Sequence, residues 1–117
     1  MTPAKDIPKA INQLLKAYEK RSASLNDIIN FHVQFERIHP FSDYNGRVGR
    51  LIMLKECLRY SIDPFILNDH KRGNYNQGIA LWDSDPSILL DDVIQAQARM
   101  RNDMETFQLL EYYRDPF

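Results

Sequence analysis

The stretch His39-Pro40-Phe41-Ser42-Asp43-Tyr44-Asn45-Gly46-Arg47-Val48-Gly49-Arg50 separates two runs of helical periodicity. Pro40 stops the run before it, because the residue ahead of a proline is pushed out of helical space. Asn45-Gly46 is a pair that readily takes positive φ and turns the chain. The run after it, from about Arg47 to Tyr60, carries Arg47 and Arg50 on one face of its first turn. A helix N-terminus offers free backbone N–H groups and a partial positive charge, which suits an anion. Successive amides aimed at one point form a nest for phosphate. Two guanidinium forks beside such a nest would hold two phosphate groups.

Two further residues give the stretch a chemical reading. Asp43 supplies a carboxylate, the ligand that Mg²⁺ prefers alongside phosphate and water oxygens. His39 supplies a group of near-neutral pKa, suited to taking a proton from an attacking hydroxyl. A base, a metal ligand, an anion nest and two cations are what phosphoryl or nucleotidyl transfer needs. Each residue also has a plainer use. Asp43 serves equally as a helix cap, and Arg47 and Arg50 as solvated surface charges.

Working outward, the flanking segments read as helices. Residues Ile7 to Tyr18 align Ile7, Ile11, Leu14, Leu15 and Tyr18 in one stripe. Ser24 and Asp27 have the spacing of a capping box. The helix they open buries Leu25, Ile28, Ile29, Phe35 and Ile38. After the loop, the inward positions are Val48, Leu51, Ile52, Leu54 and Leu58. Asn74 to Trp82 reads as a short helix. Ser84-Asp85-Pro86 starts another, with Asp85 or Ser84 as cap and the proline in the first turn. That helix carries Leu89, Leu90, Val93, Met100, Met104 and Phe107. Phe65-Ile66-Leu67 looks extended and is too short to build a sheet. The expectation is an all-α fold, a single domain over residues 1–117.

Bulk properties narrow the setting. A chain of 117 residues builds one modest core. Its formal net charge of -1 gives no electrostatic footprint for nucleic acid or an anionic membrane. The single cysteine, Cys57, lies in an apolar run and reads as a buried thiol, which fits a reducing compartment. No run of about 20 apolar residues exists to span a bilayer. No apolar stretch directly follows the first residues, as a secretory signal would require. The cytoplasm is therefore expected. His32 reads as a packed histidine and His70 as part of a polar loop. The three histidines lack zinc spacing.

The central stretch resembles the signature of the Fic family, H-x-F-x-[D/E]-G-N-G-R-x-x-R. His39, Phe41, Asp43, Asn45, Gly46, Arg47 and Arg50 match it, and Tyr44 stands where the family usually has glycine. The resemblance covers roughly residues 7 to 100 and implies a compact all-helical Fic core with the active-site loop between two central helices. It implies a protein adenylyltransferase that moves AMP from ATP to a Ser, Thr or Tyr hydroxyl of a target protein. His39 would be the general base and Asp43 would hold Mg²⁺. Asn45, Gly46, Arg47 and Arg50 would bind the phosphates, Phe41 would anchor the loop, and Tyr75 falls where an aromatic often lies near the adenine. Doc-type relatives, which transfer phosphate, tend to carry lysine where this chain has Gly46.

The departures carry expectations of their own. If position 44 needs positive φ, tyrosine strains the loop by about 1–3 kcal/mol; if its ring points to solvent, it changes little. The family's β-hairpin flap, which docks targets by strand addition, would precede residue 1. The inhibitory pattern [S/T]-x-x-x-E-[G/N] does not occur in the chain, so an antitoxin-like partner is one expected source of restraint. A catalytically weakened module that binds a nucleotide or partner is the alternative. The aromatic tail from Tyr112 to Phe117 leaves room for a homodimer.

Overall fold

The computed structural model describes residues 2–19, 23–39, 45–67 and 72–106. They form a short 3₁₀ turn, Ala4–Asp6, and five α-helices: α1 Ile7–Glu19, α2 Leu25–Ile38, α3 Asn45–Arg59, α4 Arg72–Leu81 and α5 Ser87–Thr106. No strand occurs among the described residues, so the all-α reading holds. The helices fall into two compact units, Met1–Ile62 and Asp63–Phe117. In the first, α2 packs on both α1 and α3; in the second, α4 packs on α5.

α2 is the buried element of the first unit. The Ser24 hydroxyl accepts from the Asp27 backbone at 3.2 Å, while the Asp27 carboxylate accepts from the Ser24 backbone at 3.0 Å. Together they close the expected capping box. Ile28, Ile29, Phe31, His32, Val33, Phe35 and Ile38 are buried along it. Leu25, expected inside, is only half-buried at the helix mouth. Phe31 stacks on Phe35 and meets the Tyr18 ring of α1 at 5.0 Å. α1 follows its predicted stripe except at Leu15, which is exposed.

α3 turns a different face inward from the one expected. Gly49, Met53, Glu56 and Cys57 are buried, whereas Leu51 is 66% and Leu58 49% exposed. The reason is compositional. Apolar residues surround this helix on all sides, so periodicity gives no direction. The inner face is set by what fits against α2, and that is the face bearing the glycine. α3 stops with Ser61 in the left-handed region at φ 57. The Ile62 N–H returns to the Cys57 carbonyl at 2.8 Å and the Ser61 N–H to Leu58 at 3.4 Å, the two bonds of a Schellman stop.

In the second unit the Asp85 carboxylate accepts from the Ser87 N–H at 3.1 Å and its hydroxyl at 2.7 Å. Asp85 is thus the capping group at the start of α5, with Pro86 just ahead of the helix. Leu89, Val93 and Ala96 form the inner row of α5. Phe65 and Leu67 are buried and Ile66 exposed, the alternation of an extended segment. The Asp63 carbonyl accepts from Gln97 at 2.8 Å, and its carboxylate pairs with Arg101. Phe107, expected on this helix, lies outside the described residues.

Candidate active site

His39 is the residue on which α2 ends. Its N–H still donates to the Phe35 carbonyl at 3.1 Å, but its own backbone is left-handed, at φ 56 and ψ 60. That conformation costs a side chain about 1–2 kcal/mol. Strained residues of this kind cluster at functional sites. The helix ends where Pro40 was expected to end it, though the residue ahead of the proline is left-handed rather than extended.

The sequence placed the left-handed turn at Asn45-Gly46. Instead α3 begins at Asn45, and no glycine among the described residues has positive φ. Once these two residues are the first of the helix they take right-handed helical angles, and the reversal begins on His39. Their amides, with that of Arg47, belong to the first turn, for which an α-helix has no internal acceptor. Arg47 is exposed and Arg50 half-buried on the same helix.

The structure therefore puts His39 on α2 and the arginine pair on α3, two helices that pack directly. Phe41, Asp43 and Tyr44 lie outside the described residues, as does His70. Tyr75 is half-buried on α4, in the second unit. Among the described residues no group of three His, Cys, Asp or Glu side chains is gathered as metal ligands.

Behind the motif lies a polar layer of His32, packed as expected, and Glu36, which sequence reasoning did not assign. His32 is 1% exposed and faces Gly49 and Arg50 on α3. Burial chiefly, and the Arg50 charge, pull its imidazole down to about 4, while the Gly49 main chain partly opposes this as a hydrogen-bond partner. Glu36 stands one turn further along α2, also against Gly49. The signal for this layer was a glycine inside a helical pattern, which marks a close approach. Deeper still, the buried Tyr18 hydroxyl and Glu56 carboxylate share the interior. Burial first, then Glu56, holds the Tyr18 phenol firmly protonated. The same two causes push the Cys57 thiol up to about 11, so it is inert, as expected.

The Fic/DOC family model matches residues 1–57. The matched segment falls within the first compact unit and is consistent with a Fic domain. It covers 57 of the 117 residues and supports a Fic-type transferase as the general class. No curated protein and no solved structure matches the chain. Among the described residues, no helix is long and apolar enough to cross a membrane.

Proposed function

We propose that the chain is a protein adenylyltransferase, transferring AMP from ATP to a hydroxyl of a target protein. One observation carries the reading: a left-handed His39 caps one helix while the next, packed against it, opens with Arg47 and Arg50. His39 takes the proton of a Ser, Thr or Tyr hydroxyl. The freed oxygen forms a bond to the α-phosphorus, the bond to the β-phosphate oxygen breaks, and pyrophosphate leaves. The first-turn amides of Asn45 and Gly46, with Arg47 and Arg50, hold the phosphates. A Mg²⁺ ion would neutralise phosphate charge here; Asp43 with phosphate oxygens is the hard donor set it takes, one carboxylate and substrate oxygens sufficing.

The test is label transfer from ATP to protein. Label at the α-phosphate should appear on a target or on the chain itself, and γ-label should not. His39→Ala should lower transfer by about 100-fold or more. Transfer of γ-label alone would replace the reading with phosphate transfer. Mg²⁺-dependent ATP binding without transfer of either label would favour the binding module that Tyr44 suggests.

A further inference from the structure

Gly49 lies between Arg47 and Arg50 of α3, and side chains of α2 occupy the space beside it. A methyl group on Gly49 would sit 2.7 Å from the Glu36 carboxylate oxygen Oε1, 3.1 Å from His32 Nδ1 and 3.2 Å from His32 Cε1. The two α2 residues are one turn apart, and Glu36 is three residues before His39. At about 1.5 Å of rise per residue, this contact lies within two turns of His39 on one helix and within one turn of Arg47 and Arg50 on the other. The two helices approach each other here, next to the groups that must act together.

We infer that His32 and Glu36, lodged against Gly49, are positioning residues that set the distance between the His39 base and the Arg47–Arg50 arms. The inference rests on the transferase reading for its kinetic consequence. His32 is the stiffer of the two: its ring is enclosed and has no room to retreat, whereas the Glu36 carboxylate is the far end of a flexible side chain. A group inserted at Gly49 is accommodated by swinging Glu36 away and moving the His32 ring, with its helix, by a few tenths of an ångström. Such a shift leaves the nucleotide on α3 undisturbed and carries the base away from the reacting hydroxyl. Since about 1 Å of misplacement costs on the order of 100-fold, a few tenths predict a loss of about tenfold.

The experiment is Gly49→Ala in the full chain, assayed with α-labelled ATP. The expected result is a kcat about tenfold lower with the KM for ATP within about threefold, and no loss of melting temperature, because alanine favours helix. An unchanged kcat, or a raised KM at unchanged kcat, overturns the inference. A wild-type chain that transfers no label defeats the transferase reading, not the spacing. The spacing is then read from the His39 imidazole signal in NMR, assigned by its loss in a His39→Asn variant. That signal should move in Gly49→Ala, and a signal that stays in place overturns the inference. If Gly49→Ala does not fold, His32→Gln serves, with the same expected split between kcat and KM.

Discussion

Each compact unit brings two helices together over a glycine, and the two contacts are built differently. In the first, Gly49 faces the polar ends of His32 and Glu36. In the second, a methyl group on Gly78 would meet the Leu89 Cβ at 2.9 Å and the Leu89 backbone at 3.1 Å. One neighbour is made of movable side-chain tips and the other of main chain. The first contact yields to a methyl group at the expense of geometry. The second does not yield, and the strain appears in stability. On the inference drawn above, close approach of helices is a tuning element at Gly49 and a plain packing requirement at Gly78.

Acid should separate the two contacts most strongly. His32 is held neutral, with its pKa lowered from 6.5 to about 4. A lowered histidine pKa means the unfolded chain binds the proton first. Stability is therefore whole above pH 6.5 and falls as pH drops from about 6.5 to 4, by up to about 3 kcal/mol. Urea titrations over that range should show a steeper pH dependence for wild type than for His32→Gln. Equal slopes would mean that the ring is not held neutral against Gly49. Gly78→Ala tests the other contact. It should cost about 1–3 kcal/mol through overpacking, despite the better helix former, seen as a lower urea midpoint. A cost no greater than that of Gly49→Ala would erase the contrast between the units.

The smallest effect concerns where the chain does not use glycine. Both described residues with positive φ, His39 and Ser61, carry side chains. Ser61→Gly should stabilise by about 0.5–1 kcal/mol, since glycine takes the left-handed stop without a Cβ penalty. Transfer activity should be unchanged, a result that label assays and thermal melts can check together. Glycine in this chain then serves for space at Gly49 and Gly78, and not for backbone angle at the two helix stops.

Much of the fold was legible because its signals were local. Ser24 with Asp27 and Asp85 beside Pro86 announce helix starts through groups a few residues apart. The inward face of α3 was illegible, because Leu51, Leu54 and Leu58 compete with Met53 and Cys57 and only the partner helix decides. The resemblance to the Fic family was readable from His39, Phe41, Asp43, Asn45, Gly46, Arg47 and Arg50, and the Fic/DOC match over residues 1–57 is consistent with it. The left-handed residue was misassigned because Asn45-Gly46 is the stronger local signal for positive φ. The helix beginning at Asn45 overrode it. A glycine inside the helical pattern of α3 signals a contact at Gly49, but its partners, His32 and Glu36, lie across that contact on α2 and are not legible from α3 alone.

The left-handed backbone of His39 also limits which residues can stand at that position. On the proposed transferase reading, a replacement has to satisfy two demands that no sequence motif states separately, one for a proton acceptor and one for a conformation that mainly glycine, asparagine and aspartate take cheaply. Alanine fails both, so its loss of function mixes chemistry with a relaxed helix end. Asparagine keeps the conformation and surrenders the imidazole. The ratio of transfer rates between His39→Asn and His39→Ala therefore measures, in one position, how much of the site is a base and how much is the bend that presents it.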